Sequence, residues 1–80
     1  MAIINMVEVG TRVRQMRLAR GLSQTDAAAQ AGMRLAAWSE LERGKRPGLR
    51  VETLGQLCRA LHCSADVLLG LDHRHDAAAD

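Results

Sequence analysis

Aromatic residues are almost missing from this chain: Trp38 is the single one among 80 residues, with no Phe or Tyr. A core without large rings must be built from Leu, Val, Ile, Met and Ala, most of which favour helices over strands. The expected fold class is therefore all-α. Proline is equally scarce, and Pro47, the only one, falls between two helical patterns and interrupts neither. No apolar run approaches the length of a membrane span. The opening MAIINMVEV has neither the basic start nor the apolar stretch of a signal peptide.

Cysteine is confined to Cys58 and Cys63. With no CxxC and no second pair, a zinc knuckle, a thioredoxin-type redox site and a secreted disulfide scaffold are all disfavoured. Both are read as small core residues in a protein of the reducing cytoplasm. His73 and His75 lie two apart on a polar terminus. With no other ligand nearby they read as unliganded, so no metal and no cofactor is expected. Nor does any Ser, His and Asp set, carboxylate pair or metal cluster fall at working spacing, which argues against an enzyme.

A net charge of only +2 conceals an uneven distribution. Residues 9–60 hold ten Lys or Arg against Asp26, Glu40, Glu42 and Glu52, while both ends are acidic. A basic middle suits a phosphate-binding face, although a merely solvated surface would carry the same bias. Eighty residues make one domain whose core is small, so association of two copies is a natural way to bury more surface.

Val9, Val13 and Met16 repeat at helical spacing before Arg20-Gly21-Leu22, which predicts a first helix over 8–20 with Arg12, Arg14, Arg17 and Arg20 on its other face. Ser23 is placed to cap a second helix over 24–31, where three alanines, Ala27, Ala28 and Ala29, permit close packing. Gly32 accepts the left-handed backbone that ends a helix, so the chain can turn and restart within a few residues. A third helix is expected over 35–43, closed by Gly44. After the basic turn Lys45-Arg46-Pro47-Gly48 a fourth runs over 51–62 and buries Leu54, Leu57, Cys58 and Leu61. Ser64 caps a fifth over 65–69, ended by Gly70, with Cys63 and Leu68 placed for a hydrophobic staple. Ile3, Ile4, Met6 and Val7 can extend the first helix, form a short strand or cover a dimer seam. The organisation expected is an N-terminal extension over 1–8, a domain over 9–70 and a frayed tail over 71–80.

Two short amphipathic helices hinged at Ala31-Gly32 are a means of pushing one helix into a DNA groove. Gln24, Thr25 and Asp26 would then fill a first turn whose free amides and positive dipole end suit a phosphate oxygen. From about Val9 to Gly70 the chain resembles the helix-turn-helix domain of phage Cro and lambdoid repressors, the Xre-type transcriptional regulators. The matching residues are Arg14, Arg17, Gly21-Leu22-Ser23-Gln24, Ala28, Ala31-Gly32, Ser39, Leu41-Glu42, Gly44-Lys45-Arg46, Thr53-Leu54, Ala60-Leu61 and Ser64-Ala65-Asp66-Val67-Leu68-Leu69-Gly70.

The resemblance implies a lambda-repressor-like bundle of five short helices, with 35–43 as the recognition helix in the major groove. It implies that Gln24 bonds backbone phosphate and braces a recognition-helix side chain, that Ser39, Arg43, Lys45 and Arg46 meet phosphate from the other end, and that Arg17 and Glu42 form a structural ion pair. Where many relatives open the recognition helix with Ser or Thr followed by Gln, Lys or Arg, this chain has Arg34-Leu35-Ala36-Ala37. Arg34 can pair bidentately with guanine, and Leu35 and Ala36 offer apolar contact to thymine methyls. Leu35 is equally open to a core or dimer contact. Glu40 is expected on the groove side, accepting from cytosine or bracing Arg43. Trp38 replaces an aliphatic residue and is expected to pack in the core. The loop over 45–52 is one residue longer than common, with Arg50 where a capping serine often stands.

The function so implied is a sequence-specific transcriptional regulator, a repressor or autoregulator, that binds a two-fold symmetric DNA operator as a homodimer and blocks or recruits RNA polymerase. Half-sites would lie one helical turn, roughly 34 Å, apart. The alternative is an antitoxin or protein-interaction module, with a toxin as partner and DNA binding secondary. The apolar Leu35-Ala36-Ala37 favours that alternative, and the short polar stretch after Gly70 speaks against it.

Overall fold

The computed structural model describes residues 4–71 as five α-helices: α1 Met6–Ala19, α2 Gln24–Ala31, α3 Leu35–Glu42, α4 Val51–Leu61 and α5 Ala65–Leu69. Ile3, His73, His75 and the rest of the expected tail from residue 72 lie outside the described residues. No strand occurs among the described residues, and no helix there is long and apolar enough to cross a membrane.

Local chemistry sets most of the boundaries. The Ser23 hydroxyl accepts from the Asp26 amide at 3.0 Å, and Gly32 closes α2 with φ 71°, a conformation a side chain would resist. The Ser64 hydroxyl caps α5 by accepting from the Val67 amide at 3.3 Å. Helix α1 begins two residues before the expected Glu8. The reason is Asn5, whose side-chain oxygen accepts from the Val7 amide at 2.9 Å and the Glu8 amide at 3.3 Å. Met6 and Val7 thus extend the helix, Met6 packing against the core and Val7 remaining exposed.

Three helices end one residue earlier than expected, α1 stopping at Ala19 with Arg20 as its C-cap. Arg43 is the C-cap of α3 rather than its last residue. His62 likewise leaves α4 and takes φ 54°, ψ 47°, a left-handed conformation uncommon outside glycine. That turn lets the Cys63 amide donate to the Cys58 carbonyl at 3.2 Å and redirects the chain into α5. Arg50 caps α4 by position only, without a side-chain hydrogen bond.

The core gathers Val9 and Val13 of α1, Ala27, Ala28 and Ala31 of α2, Trp38 and Leu41 of α3, Leu57, Ala60 and Leu61 of α4, and Leu68 of α5. Leu54, Cys58 and Cys63 pack at its margin. Burial raises the pKa of both thiols, that of Cys63 to about 11, so both are protonated at neutral pH. Helix α1 packs on α3, α4 and α5, while α2 packs on α3 and α4, so α3 is held from two sides. The α1–α3 contact is close enough that a Cβ on Gly10 would collide with the Leu41 carbonyl oxygen and reach the Glu42 carbonyl oxygen at 2.8 Å. Sequence periodicity alone gives no sign of that approach.

The four arginines expected on the other face of the first helix, Arg12, Arg14, Arg17 and the C-cap Arg20, do not share one face. Arg17 continues the Val9–Val13 stripe at four-residue spacing and is buried. Arg12 pairs with Glu8 at 3.3 Å. The Arg20 guanidinium donates to the Ala60 carbonyl and, at 3.2 Å, to Gln30. Arg14 alone of the four projects outward without a carboxylate partner among the described residues.

Candidate nucleic-acid interface

Glu42, the last residue of α3, organises the site. Its Oε2 accepts from Arg17 Nε at 2.5 Å and from Trp38 Nε1 at 2.6 Å, and its Oε1 accepts from Arg17 Nη2 at 3.1 Å and from Gln24 Nε2 at 3.0 Å. Arg17 Nη1 donates in turn to the Leu22 carbonyl at 2.8 Å. One carboxylate thus ties α1, the start of α2 and two turns of α3. The side chains of Arg17 and Glu42 are only 10% and 4% exposed, so the pair is largely desolvated. Desolvation pushes the Glu42 carboxyl upward, but hydrogen bonds from Arg17, Gln24 and Trp38 outweigh it and hold the carboxyl below its ordinary range. The same bond raises the Arg17 guanidinium above its usual value.

Trp38 is fully buried, as its packing role requires, yet it is also a donor to this carboxylate. An aliphatic residue at this position would fill space without a bond. The sequence signal was present: Trp38 and Glu42 are four apart on one helix, where side chains meet.

Above Glu42 lies a shallow cleft of about 200 Å³ lined by Arg14, Arg17, Gln24, Ser39, Glu42 and Arg43. Gln24 spends one amide hydrogen on Glu42, and a primary amide has two, so the second can serve a ligand oxygen. Arg14 and Arg43 are exposed and have no carboxylate within ion-pairing distance among the described residues. Arg14 was not among the candidate residues, although its spacing offered a clue. Gly10, Thr11, Arg17 and Leu18 stand three and four residues away, so no acid on its own helix can neutralise it.

The other candidates are distributed around the cleft. Thr25 is exposed in the first turn of α2, and Arg34, Leu35 and Ala36 are exposed at the start of α3. Ala36, Ser39, Glu40 and Arg43 follow one outward stripe at helical spacing, whereas Trp38 and Leu41 face inward. Leu35, open to a core or surface role from sequence, is 47% exposed and makes no part of the core. Arg34 and Lys45 lie outside the cleft and, like Arg43, lack a carboxylate partner among the described residues.

The expected brace between Glu40 and Arg43 does not form. Gly44, at φ 69°, turns the chain back along α3 so that the Lys45 amide donates to the Glu40 carbonyl at 3.0 Å. The turn brings Arg46 to Glu40, at 3.9 Å, and leaves Arg43 free to flank the cleft. Arg46 therefore balances an acid on the outer face. Among the described residues no group of three or more His, Cys, Asp or Glu is placed to hold a metal ion.

Comparison with known proteins agrees with the helical fold. A helix-turn-helix domain model matches residues 8–71. The restriction-modification controller protein C.AhdI from Aeromonas hydrophila shares 30% identity, with a TM-score of 0.75 over 82% of this chain and 98% of that one. SinR, solved in complex with SinI, gives 25% identity and a TM-score of 0.73 over 89% and 74% of the two chains. The hypothetical transcription factor NHTF from Neisseria, at 22% identity and a TM-score of 0.76 over 95% and 85%, has the same fold. No curated protein sequence matches significantly.

Proposed function

The chain belongs to the helix-turn-helix domain family, among the Xre and controller-protein type regulators, and from that premise we propose that it is a sequence-specific regulator that binds a two-fold symmetric DNA operator as a homodimer. The observation that carries this reading is the cleft between α1 and α3. There Arg14 and Arg43, neither with a carboxylate partner among the described residues, flank the Gln24 amide and the Ser39 hydroxyl beside the N-terminus of α2. Cations, a neutral donor and free helix amides are the set that a backbone phosphate recruits. With a phosphate seated there, the outward stripe of α3 faces the adjoining major groove. Ser39 and Arg43 would hold the strand, Lys45 would add charge from the following turn, and Arg34 and Leu35 would meet base edges.

Two copies are favoured by an apolar depression of about 270 Å³ lined in part by Ile4, Met6, Leu49, Leu54 and Leu69. A chain this small loses stability by leaving such a surface wet. A second reading, a protein-interaction module such as an antitoxin, draws on the exposed Leu35 and Ala36. Against it stands Arg34, directly beside them and without a carboxylate partner among the described residues, which suits a polyanion better than an apolar protein face.

Binding titrations at several salt concentrations separate the roles. Arg14→Ala, Arg43→Ala and Lys45→Ala should each weaken binding to all duplexes alike and lower the slope of log K against log salt by about 0.9. Arg34→Ala should instead relax preference at particular base pairs. If Arg34→Ala behaved like the other three, Arg34 would be a phosphate contact. If none of the three changed the slope, the cleft would not be the phosphate seat.

A further inference from the structure

The leading edge of α3 is chemically unusual for a helix that reads bases. Its first two residues, Leu35 and Ala36, are both exposed, and neither side chain can donate or accept a hydrogen bond. Leu35 is the one large exposed hydrophobic residue of α3 among the described residues. It cannot turn inward, because Trp38 and Leu41 already fill the core side of this helix and the Glu42 bonds to Arg17 and Gln24 fix its rotation. Farther along the stripe, the Glu40 carboxylate lies 3.9 Å from the Arg46 guanidinium. The apolar spot nevertheless directly follows Arg34, and Arg43 stands at the far end of the same helix; neither has a carboxylate within ion-pairing distance among the described residues. An apolar protein partner would have to strip water from these charges, whereas duplex DNA matches both the cations and the apolar centre.

Only one group on the major-groove floor of DNA is apolar: the methyl on carbon 5 of a pyrimidine. Resting on the operator-binding function proposed above, we infer that Leu35 is a specificity-determining residue that reads this methyl, supported by Ala36, so that the protein recognises 5-methylpyrimidine DNA rather than a base's hydrogen-bonding pattern at that position. Thymine and 5-methylcytosine carry the methyl at the same place. Uracil and cytosine lack it. The site therefore responds to cytosine methylation as well as to sequence.

The test starts from a duplex selected from a random pool for tightest binding. Each thymine of one half-site is replaced in turn by uracil, which removes the methyl and leaves every base-pair hydrogen bond in place. At one position in each half-site, affinity should fall about fourfold, the effect of one buried methyl group, and about fifteenfold when both half-sites are changed. At the same position, a 5-methylcytosine·guanine pair should bind about fourfold better than cytosine·guanine. Leu35→Ala, a change at an exposed position, should still bind the duplex but lose both differences. Equal affinity for thymine and uracil at every position, or a methyl effect that survives in Leu35→Ala, would overturn the inference and leave the operator-binding function standing. Failure to select any duplex over the starting pool would overturn both.

Discussion

Glu42→Ala is expected to cost about 3–5 kcal/mol of folding stability, because it leaves the Arg17 guanidinium buried without its counter-charge. Two further donors, Trp38 Nε1 and Gln24 Nε2, lose their acceptor in the same step. A domain of this size is stable by only about 5–10 kcal/mol, so a substantial unfolded population follows at modest denaturant. Urea denaturation monitored by Trp38 fluorescence measures the loss. Arg17→Met should cost a comparable amount, and the double variant Arg17→Met/Glu42→Leu less than the sum, since it strands no charge. Equal and additive losses would show that the pair is not coupled.

The same carboxylate predicts how stability depends on acid. Its pKa is depressed in the folded state, so its contribution is fully present above the ordinary carboxylate range and disappears as pH falls through the lowered folded value. Glu42→Gln should therefore be less stable than the parent at neutral pH and show a shallower decline in stability below about pH 5.

Gly10→Ala is expected to cost about 3 kcal/mol, at the upper end of overpacking penalties, because the new methyl group would meet the backbone at Leu41 and Glu42 rather than a movable side chain. The helices α1 and α3 must separate to admit it. Since that contact sets the position of Glu42, the same change should weaken DNA binding beyond what partial unfolding explains. Gly55→Ala is the matched control. Its added Cβ meets only Arg59 Nη1, the end of a flexible side chain, at 3.5 Å. In the middle of α4 it should stabilise by up to about 1 kcal/mol through helix propensity. Thermal unfolding of the two variants should move in opposite directions.

Features carried by neighbouring residues were legible in the sequence. The span of α2, the caps at Ser23 and Ser64 and the turns at Gly32 and Gly70 follow from side chains within a few positions of one another. The five-helix organisation followed from periodicity. What escaped depended on chain folding back on itself. Asn5 was hidden inside an apolar stretch, although its side chain is what starts α1. The turn at Gly44 redirected Arg46 to Glu40 and released Arg43, an exchange that spacing along α3 cannot show. Gly10 matters only because α3 crosses α1 there. Trp38 was expected to pack, and does, but burial of an indole also demands a partner for its N–H, and Glu42 one turn later supplies it.

Operator recognition by this chain requires duplex DNA to engage the start of α2 and the outward stripe of α3. Backbone amide chemical-shift mapping during titration with a selected duplex examines that claim directly. Perturbations concentrated at residues 23–26, 34–40 and 43–45, with those of α4 and α5 smaller, are the predicted result. Absence of perturbation, or shifts confined to α4 and α5, would contradict it.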